Sequence, residues 1–236
     1  MSTSTASSGT ASPTEHSSNS VRRRGILFII SAPSGTGKTT LCKQLVARIP
    51  GLWHSISCTT RKPRPGEEHG REYFFMDESE FQDMIDRHEF VEWARVYGHL
   101  YGTPRKVLAD KMAQGVDVLL EIDVQGALQV KQKFSDAVPI FILPPSMTAL
   151  KSRLQSRASD SPDEIQRRMQ KVKEEVWNYR EYAYIVRNDD LTRSLRDLEH
   201  VFLAEQLKTG RMDTAWIENN FLIDENGKPE GRKDLS

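Results

Sequence analysis

Apolar residues along the chain fall into short, β-branched runs separated by longer stretches in which they recur every three or four positions. The runs Ile26–Ile30, Val116–Asp123, Val138–Leu143 and Tyr184–Arg187 read as strands. Between them, Leu41-Cys-Lys-Gln-Leu-Val, Phe81 with Met84 and Ile85, and Ala149 with Leu150 and Leu154 each place apolar positions on one helical face. Helix starts are marked by Asp77-Glu-Ser-Glu80, by Thr103-Pro104 as cap and first-turn proline, by Ser146, and by Ser161-Pro-Asp-Glu164. This alternation predicts an α/β fold, a parallel sheet flanked by helices. The aromatic and charged segment from about 55 to 105 does not read as sheet core, and no repeat at solenoid periods is present.

The 236 residues suffice for one α/β domain with insertions. The 33 basic residues balance 33 acidic ones, which removes the global electrostatic argument for nucleic acid or a membrane as partner. Any polyanion bound is therefore small. Cys42 and Cys58 indicate neither a disulfide framework nor a metal motif, and the six histidines, among them His54, His69 and His99, lack ligand spacing. A cytoplasmic, reducing location fits. No apolar run approaches the roughly 20 residues of a membrane span. Residues 1–24 read as a disordered tail, mostly Ser and Thr before Arg22-Arg23-Arg24, a composition shared with organelle transit peptides. Residues 208–236 read as a C-terminal extension whose charged, Gly/Pro-interrupted end frays.

Chemistry enters with Ser31-Ala-Pro-Ser-Gly-Thr-Gly-Lys-Thr-Thr40, which joins the first strand to the first helix. A backbone curling around phosphate oxygens needs small residues, and Gly35 and Gly37 supply the space and the permissive dihedrals. Lys38 can reach β- and γ-phosphates, the Thr39 hydroxyl can hold Mg²⁺, and the helix points its positive end at the anion. Ala32 stands where the motif begins with glycine, at no cost if its φ is negative. Ala32, Pro33, Ser34, Gly35, Thr36, Gly37, Lys38, Thr39 and Thr40 are thus the candidate loop for a nucleoside triphosphate, which the resemblance given below makes ATP.

A second anion site is suggested by Ser55-Ile-Ser-Cys-Thr-Thr-Arg-Lys-Pro-Arg-Pro-Gly66, where prolines stiffen a turn carrying Arg61 and Arg64. Two guanidinium forks suit a phosphate monoester, and Tyr73 offers a further donor. Glu92, a carboxylate among aromatic residues, suits a base with adjacent N–H donors. Thr103 can add a hydroxyl to the base and also cap the helix ahead of Pro104. Trp93 reads as core.

The motifs S-A-P-S-G-T-G-K-T-T, S-C-T-T-R-K-P-R-P-G-E, G-R-E-Y-F-F, F-V-E-W-A, Y-G-T and E-I-D-V-Q-G occur in the order and spacing of guanylate kinases, which the chain resembles over about 25–207. The resemblance implies a P-loop core at about 25–56, 104–152 and 183–207, a GMP-binding insertion at about 57–103 and a mobile lid at about 153–182. It implies that Arg61, Arg64, Tyr73 and Tyr101 hold the GMP phosphate, that Ser57, Glu92 and Thr103 read guanine, and that Asp123 lies between the nucleotides. Glu121, where many members carry aspartate, becomes a possible magnesium or water-positioning group. Asn188 falls at a position near adenine.

The lid segment concentrates Lys151, Arg153, Arg157, Arg167, Arg168, Lys171 and Lys173. Arg153, Arg157 and Arg168 match the family's lid arginines and join Lys38 as catalytic candidates, while Lys171 and Lys173 read as a solvated helix face. The implied reaction is γ-phosphoryl transfer from MgATP to GMP, with dGMP also accepted, by alignment, charge neutralisation and exclusion of water. Three alternatives compete. A guanylate-kinase-like scaffold module would lack the intact Lys38-Thr39 pair, a ribosyl-bisphosphate kinase is disfavoured by Glu92, and a nucleic-acid-directed P-loop protein would need a basic groove.

Overall fold

The computed structural model describes residues 24–155, 162–212 and 214–223. Residues 23–212 form one compact unit. Its first strand, β1 (Leu27–Ser31), is buried along its whole length. Helix α1 (Lys38–Arg48) follows, then β2 (Trp53–His54) and β3 (Cys58–Thr59). After β4 (Phe74–Phe75) come α2 (Glu78–Asp86), β5 (Phe90–Val96), β6 (His99–Pro104) and α3 (Arg105–Ala113). The second half contains β7 (Val118–Glu121), α4 (Val124–Lys133), β8 (Val138–Leu143), α5 (Met147–Gln155), α6 (Pro162–Val176), β9 (Tyr184–Arg187) and α7 (Leu191–Gln206).

Strands β2-β7-β1-β8-β9 make a five-stranded sheet in that order, every pairing parallel. Parallel strands must be covered on both faces, which explains why β1, β7 and β8 are almost continuously apolar. Phe28 and Ile30 point to one face and pack with Leu41, Leu45, Leu195 and Phe202 of α1 and α7. Leu27 and Ile29 point to the other, against Leu108, Met112, Ala127 and Val130 of α3 and α4. Burying each of these larger side chains is worth about 1.5–3 kcal/mol.

The 55–105 segment forms no part of this sheet apart from its flank at β2, but it is itself a sheet, ordered β4-β3-β6-β5. Its small core gathers Cys58, Phe81, Phe90 and Leu100, with Met84 and Ile85 of α2 packed alongside. Asp77 caps α2 through the Glu80 N–H, and Ser146 accepts the Ala149 N–H at the start of α5, both as the sequence predicts. Thr103 does not cap α3. It lies inside β6, and α3 opens after Pro104 with no side-chain cap, because the Thr103 hydroxyl is committed to Glu92. Trp93 is also not core: it is 40 % exposed. Alternation along β5 turns Glu92 and Ala94 inward and Trp93 outward, where Gln129 of α4 binds its backbone N–H and carbonyl.

Helix α8 (Thr214–Phe221) lies outside this unit and is described by itself, with Trp216 packed edge-on against Phe221. The tail at 1–23 and the chain end at 224–236 lie outside the described residues.

Candidate active site

At the carboxyl end of β1 the chain turns through Ala32-Pro33-Ser34 into a tight loop. Gly35 and Gly37 adopt φ of 88° and 95°, a left-handed backbone that side chains resist. Ala32 is not among the positive-φ residues, so alanine there carries no backbone cost. Gly35 meets a second constraint, since a β-carbon on it would lie 2.8 Å from Leu154 Cδ2 of α5. The Thr36 hydroxyl donates to the Pro33 carbonyl at 2.7 Å and braces the turn. Helix α1 opens at Lys38, and its first intrahelical bond runs from the Leu41 N–H to the Gly37 carbonyl. The amides of Lys38, Thr39 and Thr40 therefore sit at the positive end of the helix dipole.

Lys38 donates through Nζ to the Ile122 carbonyl at 2.9 Å and lies 3.8 Å from the Glu121 carboxylate. Glu121 also accepts from the Thr39 hydroxyl and faces His54 Nε2 at 3.6 Å. The sequence gives no motif for His54; β2 pairs with β7 and brings it there. Burial lowers the His54 pKa, against the pull of Glu121 in the other direction.

Two lobes meet at this lysine. One, of about 230 Å³, is lined by residues 32–40 with Tyr73 and Glu121. The other, of about 200 Å³, is lined among others by Ser57, Tyr73, Glu92, Tyr101, Asp123 and Glu175. Lys38, Tyr73 and Glu121 belong to both.

Glu92 lines the second lobe, 3 % exposed, and accepts a 2.6 Å hydrogen bond from Thr103. Burial raises its pKa to about 7; the Thr103 bond lowers it and the charge of Asp123 raises it further. Asp123 caps α4 through the Gly126 N–H. Gly126 belongs to the E-I-D-V-Q-G run but carries no side-chain signal. A β-carbon there would lie 2.4 Å from Glu92 Oε2, so glycine is what lets the carboxylate rest on the α4 terminus.

Of the two turn arginines, Arg61 is held by both oxygens of Glu67, at 3.0 and 2.9 Å, and lies over the Tyr73 ring. Glu67 also accepts the backbone N–H of Arg64, whose side chain is exposed. Sequence reading passed over Glu67, although the E closing the T-R-K-P-R-P-G-E run marks it. Tyr73 and Tyr101 meet edge to face at 5.8 Å.

Arg153 donates to the carbonyls of Thr36 and Asn188, and the Asn188 amide donates to the same Thr36 carbonyl at 2.7 Å. Both residues thus brace the phosphate loop from behind. Arg168 pairs with Glu164 one turn earlier in α6 and stacks on Tyr97. Lys171 is not a solvated face: it lies over the same ring and 3.8 Å from Glu175. Burial raises the Glu175 pKa to about 7, with Lys171 opposing and Asp123 reinforcing the shift. Arg157 lies outside the described residues.

A P-loop at the edge of a parallel sheet, facing a second polar cleft across one shared lysine, defines a P-loop nucleotide kinase. The guanylate kinase family model matches residues 24–205. Among relatives, the guanylate kinase of Geobacter sulfurreducens is 49% identical over 198 residues, 84% of this chain and 98% of its own length. That of Dechloromonas aromatica is 50% identical over 186 residues, covering 79% and 92%. The crystal structure of the Anaplasma phagocytophilum guanylate kinase superposes with a TM-score of 0.74 at 32% identity, over 86% of this chain and 99% of that one. The chain belongs to the guanylate kinase family, the ATP:GMP phosphotransferases.

Proposed function

We propose that the loop lobe receives MgATP and the second lobe GMP, with dGMP as an alternative acceptor, so that the γ-phosphoryl passes between them beside Lys38. The observation that carries this reading is the buried Glu92–Thr103 pair in a cleft that shares Lys38, Tyr73 and Glu121 with the loop. Guanine presents two adjacent N–H donors to an acceptor-only carboxylate, and Ser57 and Thr103 supply hydroxyls beside it. Arg61, Arg64, Tyr73 and Tyr101 bind the acceptor phosphate, with Glu67 holding the Arg61 fork in place until it arrives. Asp123 lies between the two nucleotides, and Asn188 fixes the floor of the adenine side through the Thr36 carbonyl.

The acceptor is already an anion and needs no strong base. Catalysis is therefore alignment and charge neutralisation by Lys38, Arg153, Arg157 and Arg168. Thr39 and Glu121 present hard oxygen donors side by side at the loop, a set that fits Mg²⁺ completed by phosphate oxygens and water. Bound there with ATP, Mg²⁺ would supply charge neutralisation on the phosphates, held by the Thr39 hydroxyl and the Glu121 carboxylate. Residues 57–103 act as the acceptor-binding insertion, and residues 153–182 as a lid that excludes water. Among the described residues no helix is long and apolar enough to cross a membrane, and Cys42 and Cys58 are free thiols. We place the protein in the reducing cytoplasm.

The test is a coupled assay offering ATP and Mg²⁺ with GMP, dGMP, AMP, CMP or UMP. GMP is consumed fastest, dGMP more slowly. Comparable turnover of AMP would overturn the assignment of Glu92 as the base reader.

A further inference from the structure

Val96 pairs with His99, which leaves Tyr97 and Gly98 as the two-residue turn of the β5–β6 hairpin. Both have left-handed backbone, φ 48° and 85°. A hairpin turn of this kind favours Asn-Gly or Asp-Gly, because only small or locally hydrogen-bonding residues accept positive φ cheaply. A bulky aromatic residue there is strained. The turn itself therefore does not call for tyrosine.

What the ring touches does. The Arg168 guanidinium carbon lies 5.1 Å from the Tyr97 ring centroid and the Lys171 ammonium 4.7 Å from it. Tyr97 also lines the same lobe as Ser34 of the phosphate loop. One side chain on the insertion hairpin thus meets α6 and faces the cleft that the loop also borders. Arg168 and Lys171 stand three residues apart on one helix face, and like charges at that spacing repel. The electron-rich face of the ring between them offsets that repulsion.

We propose that Tyr97 is a positioning residue that locks the insertion hairpin against the lid helix beside the phosphate loop and so holds Arg168 for phosphoryl transfer. The inference rests on the reading of 153–182 as a lid and of Arg168 as a transition-state contact. It explains the strained turn: local stability is given up for an aromatic ring that the lid closes upon. It also links the two substrates, since Arg168 keeps its working position only while the acceptor-binding insertion holds the ring against α6, which spares ATP from transfer to water.

The experiment compares Tyr97→Asn, Tyr97→Phe, Arg168→Ala and the Tyr97→Asn/Arg168→Ala double variant in the full chain. Asparagine suits the left-handed backbone, so Tyr97→Asn keeps or raises Tm, and loss of activity cannot be laid to misfolding. Its kcat falls about tenfold, with KM for GMP and ATP within roughly threefold. Tyr97→Phe keeps the ring and recovers most of that loss. In the Arg168→Ala background the same asparagine substitution costs less than about twofold. Unchanged kcat in Tyr97→Asn, or an equal factor lost in both backgrounds, overturns the proposal while leaving the lid intact. A silent Arg168→Ala removes the lid reading itself, and the proposal with it.

Discussion

The Thr103 hydroxyl donates to the Glu92 carboxylate at 2.6 Å, across the β5–β6 pair and inside the lobe that Ser57, Tyr101 and Asp123 also line. With Asp123 near and little solvent, the free carboxyl holds a proton up to about pH 7. Accepting two N–H groups of guanine requires the ionised form. As pH falls below about 7, base binding must therefore first expel a proton, and affinity drops by up to roughly tenfold per unit. Guanosine is the better probe, because the GMP phosphate itself titrates near pH ~6. Glu92→Gln should weaken guanosine binding at pH 8 and flatten its pH profile, which a calorimetric titration at pH 6, 7 and 8 checks. It should also lower kcat/KM for GMP far more than for IMP, which lacks the 2-amino group.

Gly126→Ala separates the site from the fold. An alanine in the first turn of α4 improves helix propensity by about 1 kcal/mol. Its methyl would nonetheless lie 2.4 Å from Glu92 Oε2, and displacing a packed side chain costs about 1–3 kcal/mol. The two terms nearly cancel in stability but not in function. KM for GMP should rise about tenfold or more while Tm moves by only a few degrees, measured by initial rates and thermal melts.

Lys38→Ala should abolish transfer with little change in folding. The ammonium is partly exposed and its one short bond is to the Ile122 carbonyl, so truncation removes little packing. Lys38 lines both lobes, where the proposed transfer needs a cation to meet the transferring group. Single-turnover assay and a melting curve on the same sample test both halves; turnover within a few-fold of the parent would place the triphosphate elsewhere.

Glu175→Gln should change how stability depends on pH. Burial holds the Glu175 carboxyl up to about 7, above the usual range. A raised carboxyl pKa means that the native state binds more protons than the unfolded chain, so its contribution is full at low pH and lost as pH rises toward about 7. The variant should melt closer to, or above, the parent at pH 8 than at pH 5. Glu92 titrates in the same direction, and some decline persists in the single variant. A constant Tm difference across that range would remove Glu175 as the source.

Much of this molecule is written locally. The loop Ser31–Thr40 needs glycines where φ must be positive, a lysine and threonine opening a helix, and an apolar strand before it, all within twenty residues. The parallel sheet is legible for a related reason: strands covered on both faces must be apolar throughout, and β1 and β8 are. The second sheet was not legible, because β3 and β4 are two residues each and their partners lie far along the chain. Trp93 was misread since the register of β5, set by its pairing with β6 and by Gln129 of α4, decides which face each residue takes.

By itself the sequence determined the family, the phosphate loop and the residue types at the acceptor cleft, since these depend on short-range backbone demands and on motif order. Only the tertiary structure decided which groups share space. It placed Arg153, 117 residues from Thr36, on the loop carbonyl; Glu92 over Gly126; Glu67 on Arg61; and Tyr97 beneath two cations of α6. Hydrogen bonds and ion pairs act over a few ångströms, and sequence separation carries no record of that distance until the sheet and its crossovers bring the elements together.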